Sequence, residues 1–468
     1  MEVRRGAYHD SVTLMRVSRR IGARPDVASA MAAMATELNR EVLERMGFDV
    51  PGDAGPADLV VAIEADDVDG ARAELDDLLR DSSRAPADPG LGARAPARTI
   101  ASAAARTEAT LALVSVPGPH VFTEAMDALA AGLNVMIFSD NVPVEAEVAL
   151  KEEATRRGLI VMGPDCGTAV IGGAGLGFAN AVRPGPVGLV AASGTGAQQI
   201  MCLLDSAGVG VGNVLGVGGR DLSPEVSGRS AMSALAALDA DPATELIVVV
   251  SKPPAPKVAH LIREAARRMD TPVVFALPGP GEDDLTQAVE SALERLGRPL
   301  PLWPCLSAPV TPRIPAGRTL RGLFAGGTLR DEAEIVAADV LGPEEFTLVD
   351  YGDDAYTRGR AHPMIDPTLR LEALAEAAAD PDTGVLLLDV VLGHGADPDP
   401  SATLVPALKS ALGGRDDLAA VISLCGAADD PQDLDRQATA LCEAGAAVFA
   451  SNAEAVRHAA GLLRGTPR

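Results

Sequence analysis

Residues Gly185 to Gln199 read Gly-Pro-Val-Gly-Leu-Val-Ala-Ala-Ser-Gly-Thr-Gly-Ala-Gln-Gln, and their types and spacing suit the holding of an anion. An apolar run enters a Ser-Gly-Thr-Gly turn and leaves it as a helix-like segment. In the first turn of such a helix the N–H groups of Gly194, Thr195 and Gly196 lack intrahelical acceptors, and the helix dipole adds partial positive charge, so a phosphate fits there. Ser193 and Thr195 add hydroxyl donors. No Lys-Ser/Thr follows at Walker A spacing, and a plain strand-to-helix packing turn is the alternative reading.

Other residues invite chemistry with less support. Cys166 follows a strand, but no His and acid pair accompanies it, which favours a small buried residue over a thiol nucleophile. His394 lies in Gly393-His-Gly-Ala-Asp-Pro-Asp399 with Asp389, Asp397 and Asp399 nearby in sequence. A metal or acid–base role is one reading. A capped surface loop is the favoured one, because the spacing matches no standard ligand set, and His362 has the same status. No metal is expected. Met31 and Met34 read as core packing.

The elements that must position these residues alternate along the chain. Two Pro-, Ala- and Gly-rich stretches, Ala85 to Arg98 and Arg298 to Gly317, read as linkers. Before the first, Ser11 to Arg16 and Leu59 to Ile63 read as strands, and Thr36 to Met46 and Gly70 to Leu79 as helices. Between the linkers, Thr110 to Ser115, Asn134 to Phe138 and Leu159 to Met162 read as strands alternating with helices at Val121 to Ala131 and Val144 to Arg157. Strands at Val187 to Ala191, Val211 to Val217, Leu246 to Val250 and Val273 to Leu277 follow. The last section has strands near Leu320 to Phe324, Val385 to Val390, Ala419 to Ser423 and Ala447 to Ala450. Such alternation implies parallel sheets with crossover helices. Ala192-Ser-Gly-Thr-Gly196 and Phe324-Ala-Gly-Gly-Thr-Leu329 open the last two units in the same way, as divergent copies of one fold would.

Composition sets bounds. At 468 residues the chain is too long for one core. A net charge of −25 argues against nucleic acid and anionic membrane surfaces as partners, though small anions can bind through local Arg and Lys. Five scattered cysteines without CxxC spacing suit a reduced compartment. No apolar run approaches a membrane span and no signal h-region opens the chain, so a cytoplasmic location is expected.

Several motifs carry a family resemblance. Ser115-Val-Pro-Gly-Pro-His120, Met162-Gly-Pro-Asp-Cys-Gly-Thr168, Val190-Ala-Ala-Ser-Gly-Thr-Gly196 and Gly216-Val-Gly-Gly-Arg-Asp221 are similar to the loops of the succinyl-CoA synthetase α-subunit. The chain resembles the FdrA family more closely, over nearly its whole length. Phe138-Ser-Asp-Asn-Val142, Gly177-Phe-Ala-Asn180, Ser251-Lys-Pro-Pro254, Gly326-Gly-Thr-Leu329, His362-Pro-Met-Ile-Asp366, Leu388-Asp-Val-Val-Leu-Gly393 and Asp430-Pro-Gln432 carry that likeness.

The resemblance implies a multidomain α/β protein. It has a small N-terminal α/β domain (1–84), a Rossmann-like CoA-binding-type domain (99–183) and two flavodoxin-like ligase-type domains (184–297 and 318–468). Two functions come with it, acyl-CoA synthetase and, for members linked to allantoin breakdown, subunit of an oxamate carbamoyltransferase. The synthetases relay phosphate through a histidine in a loop after the last strand of the first ligase domain. Here that place holds Leu277-Pro-Gly-Pro-Gly-Glu-Asp-Asp284, and no histidine occurs between His260 and His362. The favoured expectation is therefore a carbamoyltransferase subunit acting on phosphate or carbamoyl phosphate and a small carboxylate amide. An acyl-CoA ligase or lyase subunit retaining CoA in Thr99 to Arg183 is the alternative, and a non-catalytic scaffold or regulatory subunit is the second. The favoured reading calls for no cofactor, and CoA belongs to the alternative.

By loop position, Arg220, with its fork of donors, and Lys252, a point charge, are the candidate catalytic residues, and Ser193, Gly194, Thr195, Gly196, Gly218 and Gly219 the candidates for binding phosphate or substrate. Arg220 and the Ser193 turn follow strands of one sheet and are expected to converge at its C-terminal edge. An Arg220–Asp221 ion pair closing its own turn is the competing expectation. Companion subunits and an oligomeric assembly are also expected.

Overall fold

The computed structural model describes residues 1–7, 9–82, 97–279, 281–303, 305–307, 315, 317–357 and 360–465. They form two compact units, Met1–Pro96 with Tyr351–Leu369, and Ala97–Asp350 with Arg370–Arg468.

The first unit opens with β1 (Glu2–Arg4), α1 (Ser11–Gly22), β2 (Val27–Met34), α2 (Glu37–Arg45), β3 (Leu59–Ala65) and α3 (Val68–Ser82). Its antiparallel sheet has the order β1-β3-β2. Ser11 to Arg16, expected as a strand, instead begins α1. The Asp10 carboxylate caps it by accepting from the Thr13 N–H at 2.8 Å, and Leu14, Val17 and Ile21 recur at helical spacing as its buried stripe. Along β3 the side chains alternate. Leu59, Val61 and Ile63 pack with α1 and α3, whereas Val60 and Ala62 face Leu43 of α2. Met34 joins the first of these cores and Met31 the second, because three positions on a strand change the face.

The second unit continues with α4 (Ile100–Ala104), β4 (Leu111–Val114), α5 (Gly118–Ala130), β5 (Asn134–Ile137), α6 (Val144–Arg157) and β6 (Val161–Met162). β4, β5 and β6 make a parallel three-stranded sheet. Next come β7 (Thr168–Ile171), β8 (Ala174–Gly177), β9 (Val187–Ala192), α7 (Gly194–Ser206), β10 (Val211–Gly216), α8 (Arg229–Asp239), β11 (Leu246–Ser251), α9 (Pro256–Ala266), β12 (Val273–Ala276) and α10 (Leu285–Arg295). The remaining elements are β13 (Cys305–Ser307), β14 (Thr319–Phe324), α11 (Gly327–Ala338), β15 (Phe346–Asp350), α12 (Asp354–Thr357), which lies in the first unit, α13 (Thr368–Ala379), β16 (Thr383–Val391), α14 (Pro400–Gly413), β17 (Ala419–Cys425), α15 (Leu434–Glu443), β18 (Ala446–Phe449) and α16 (Asn452–Leu463).

Two six-stranded sheets result, ordered β12-β11-β9-β10-β7-β8 and β13-β18-β17-β16-β14-β15. Each has the doubly wound order 2-1-3-4 among its parallel strands, extended by a fifth in the second sheet, so each has a crevice between its first and third strands. Those strands are β9 and β11 in one sheet, β14 and β16 in the other. The stretch Arg298 to Gly317 is not linker throughout, because Cys305–Ser307 adds antiparallel to β18. Of the other expected linker, residues 85–96 lie outside the described residues. Between the two sheets α7 and α10 pack on α11 and α16, which brings the first-strand turns of both sheets together. Among the described residues no helix is long and apolar enough to cross a membrane.

Candidate functional site: an anion cradle at the junction of two sheets

At the end of β9, Ser193 is extended and caps α7, its Oγ accepting from the Gly196 N–H at 2.9 Å. One of the three N–H groups expected to face an anion is therefore already used. Those of Gly194 and Thr195 have no protein acceptor among the described residues. Ser193 Oγ also lies 2.6 Å from Thr328 Oγ1 in the first turn of α11, so the two helix N-termini touch. Gly196 has to be glycine, since a Cβ there would come to 2.6 Å from Ser193 Oγ, 3.0 Å from Val250 and 3.1 Å from Thr328.

Lys252 follows β11 and enters the same crevice. Its ammonium is 4.0 Å from Asp331 and would lie 2.6 Å from a Cβ on Gly327, so it rests over the start of α11 while remaining half exposed. Asp350 approaches the same Gly327 position at 2.5 Å, and Thr195 packs on Gly326. The structure thus gathers Ser193, Gly194, Thr195, Gly196 and Lys252 with Gly326, Gly327, Thr328 and Asp331. The first turn of α7 and the Lys252 ammonium supply positive charge here, with the Asp331 and Asp350 carboxylates at the Gly327 corner beside them.

The corresponding crevice in the second sheet is filled from within. Buried Asp389, near the end of β16, accepts from the N–H groups of Ala325 and Gly326 at 2.7 and 2.8 Å and pairs with buried Arg370 at 3.1 Å. Burial holds its carboxyl above the usual range, while Arg370 and the two N–H groups pull against that. The β9–α7 turn is left as the cradle open to an outside anion.

Arg220 is placed differently. It follows β10, on the flank of β9 away from β11, where its guanidinium pairs with Glu147 at 3.0 Å and donates to the Val142 carbonyl at 2.7 Å. The expected convergence with the Ser193 turn does not appear in its contacts. Nor does Arg220 pair with Asp221, which is fully buried against Lys151 at 2.7 Å and caps α8 by accepting from the N–H groups of Ser230 and Ala231. Lys151 also donates to Glu147 at 2.8 Å and to the Val217 carbonyl at 2.9 Å, so all three ammonium protons are used. In the same loop Gly218, at φ +90°, lets the chain pass Pro164, whose carbonyl would meet a Cβ at 2.3 Å, and Gly219 lies beside Asp165.

Other sequence motifs resolve into structure-holding contacts. Asn180 donates to Asp430 at 2.7 Å and to the Leu392 carbonyl at 3.0 Å, the Ala181 N–H donates to Asp430 at 2.7 Å, and Gln432 spans the Gly393 backbone in both directions. These bonds clasp the segment after β8 to the loops after β16 and β17. His394 is exposed and meets Ala179 through its backbone, while Asp399 is engaged by Ser401, Arg436 and Gln437. His362 Nδ1 accepts from the Met364 N–H within its own turn. Cys166 is buried and its thiol is pushed up to about 12 by that burial, so a thiolate role is disfavoured.

Sequence comparisons place the chain among related proteins. The family described as AllF, heavy metal-associated domain matches residues 1–94, and the family described as CoA-ligase matches residues 323–462. The uncharacterized protein YahF of Escherichia coli (strain K12) is 36% identical, with 96% of each chain covered. Subunit alpha 2 of the ADP-forming succinate–CoA ligase of Archaeoglobus fulgidus is 26% identical over 43% of this chain and 76% of its own. Among solved structures, the dinucleotide-forming acetyl-coenzyme A synthetase 1 of Ca. Korarchaeum cryptofilum, in complex with phosphate and ADP, aligns at a TM-score of 0.32 and 16% identity, covering 82% of this chain and 87% of that one.

The metal that the first of these descriptions implies does not fit the residues present. Residues 1–94 contain no cysteine and one histidine, His9, whereas soft metals require thiolate or imidazole ligands. Among the described residues no group of three His, Cys, Asp or Glu side chains is placed to hold a metal ion. The turn after β1 is instead closed by Asp58, which accepts from Arg5 at 2.8 Å and from the Gly6 N–H at 2.9 Å.

Proposed function

The chain belongs to the family of YahF, a succinyl-CoA synthetase α-like family with a CoA-ligase domain, and from that premise we propose that it is the subunit of an enzyme that exchanges a carbamoyl group between phosphate and a small carboxylate amide. The reaction is oxalurate plus phosphate to oxamate plus carbamoyl phosphate, and its reverse. The observation that carries the reading is the β9–α7 cradle, where the Gly194 and Thr195 N–H groups and the Lys252 ammonium offer charge and donors to a phosphate. A phosphate oxygen attacks the carbamoyl carbon, the bond from that carbon to the oxamate nitrogen breaks, and the nitrogen leaves with a proton. No protein nucleophile is required. Holding two anions in register and offering donors to the developing oxyanion supplies the rate. Arg220, half exposed at the same sheet edge, is a candidate for the carboxylate end of the substrate only if it exchanges its Glu147 partner. We further propose companion subunits and a cytoplasmic setting.

The CoA-ligase match favours a second reading, an acyl-CoA ligase subunit with CoA held beside the β4–β5–β6 sheet. In the synthetases that chemistry runs through a phosphohistidine, and the Pro278 to Asp284 loop has no histidine.

The deciding experiment measures carbamoyl phosphate from oxalurate and phosphate, with the chain alone and with its genomic neighbours. Acid-labile phosphate on the chain after incubation with radiolabelled ATP would favour the ligase reading instead. Lys252→Ala is expected to weaken phosphate binding about tenfold to a hundredfold, since bonds to a charged group contribute about 1.5 to 3 kcal/mol. Calorimetry showing unchanged affinity in that variant would remove Lys252 from the site.

A further inference from the structure

Asp331 is the one carboxylate within 4.0 Å of the Lys252 ammonium among the described ion pairs, and the proposed function gives it no role. It lies in the early part of α11, largely shielded from solvent, with its carboxylate 3.2 Å from Arg330. The groups facing it are Lys252 from the β11–α9 loop and Arg330 and Glu334 on its own helix, and Asp350 at the end of β15 borders the same Gly327 corner. An anion in the cradle would therefore bring negative charge toward a carboxylate and draw away Lys252, the farther of its two cations, leaving Arg330 at 3.2 Å. A like charge sharing Lys252 with Asp331 favours the neutral acid, so binding an anion and binding a proton become coupled.

We propose that Asp331 takes up a proton as the anion enters the cradle and passes it to the nitrogen that leaves the carbamoyl carbon. The inference rests on the carbamoyl-transfer reading for its second half alone. In the balanced step, hydrogen phosphate forms the new O–C bond, the C–N bond breaks with its electron pair going to nitrogen, and nitrogen takes the Asp331 proton. The Asp331 carboxylate then recovers the proton that the phosphate oxygen sheds, so no other reactant is needed. Burial already holds this carboxyl above its usual range, against the pull of Lys252 and Arg330.

Sulfate isolates the first half, because it is tetrahedral and dianionic like phosphate but does not titrate near neutral pH. Calorimetric titration of the full chain with sulfate near pH 6, in two buffers of different ionisation enthalpy, is expected to show proton uptake. Asp331→Asn should bind sulfate as tightly or more tightly with that uptake gone, whereas a side chain that merely supports the fold would weaken binding when changed. In the transfer assay Asp331→Asn is expected to lower kcat by about a hundredfold or more without raising KM for phosphate, and Asp331→Glu to restore part of the rate. Equal proton uptake in both proteins, or an Asp331→Asn variant with unchanged turnover and pH profile, overturns the inference. No sulfate binding by the wild-type chain overturns the cradle and the inference together. Sulfate binding with proton uptake but no carbamoyl phosphate overturns the proposed reaction and leaves the proton-coupled carboxyl standing.

Discussion

Asp221→Ala is expected to lower the stability of the protein by about 3 to 5 kcal/mol, the range found when one partner of a buried ion pair is removed. The cause is specific. Lys151 and Asp221 are fully buried, and Lys151 has its three donors on Glu147, Asp221 and the Val217 carbonyl. Without Asp221 the ammonium keeps one carboxylate, and the Ser230 and Ala231 N–H groups at the start of α8 lose their acceptor. Urea denaturation monitored by circular dichroism measures the loss. A change under 1 kcal/mol would mean that water reaches the cluster. Lys151→Met combined with Asp221→Ala should be less damaging than the sum of the single changes, because it removes the unpaired charge along with its partner.

Glu332→Gln is expected to flatten the pH dependence of stability. Glu332 of α11 is buried between α10 and α16, accepting from the Leu285 N–H at 2.7 Å and from Asn452 Nδ2 at 2.7 Å. Burial pushes its carboxyl up to about 7 from an ordinary 4.5, with the nearby Asp284 charge adding to the rise. The folded value lies above the unfolded one, so the folded chain binds the proton more tightly. The stabilisation is full below pH 4.5 and is lost as pH rises through 7. The whole shift corresponds to about 3 kcal/mol, of which about 2 kcal/mol falls between pH 5.5 and 8. The difference in unfolding free energy between wild type and Glu332→Gln should shrink by that amount across the interval. A difference independent of pH would show that Glu332 stays ionised throughout.

The parallel strands with crossover helices are legible because most of their apolar runs are short and followed by a helical stripe, whereas β2, β7, β8, β13 and β15 carry no such signal. The Ser193 turn is legible as a strand-to-helix corner, with Lys252 in the loop after the neighbouring strand. What escaped reading depends on partners remote in sequence. Ser11 to Arg16 taken alone reads as a strand, and it is helical because Asp10 caps it and its apolar stripe runs on to Ile21. Lys151, four residues after Glu147, has the spacing of an exposed helix pair, and only Asp221, seventy positions on, reveals it as buried. The place of Arg220 after a strand suggests the cradle, but β10 and β11 flank β9 on opposite sides, a strand order that no local pattern encodes. Asp389 could have been found from one signal, an acid near the end of an otherwise apolar strand beside a Gly-Gly turn. Burial of an unpaired carboxylate is unfavourable enough to demand donors at that place.

The turns that meet at Ser193 and Thr328 are 135 positions apart in one polypeptide. Their encounter is unimolecular, governed by the effective concentration that the intervening chain imposes and not by how much protein is in solution. The junction should therefore persist on dilution, and affinity for an anion at the cradle should be the same in nanomolar and micromolar protein. A cut between β12 and β14 would turn the same junction into a bimolecular one, held by α7 and α10 against α11 and α16, by the Asn180–Asp430 clasp, and by the packing of Tyr351–Leu369 with Met1–Pro96 in the first unit. Anion affinity in the nicked protein would then report how strongly the two halves recognise each other.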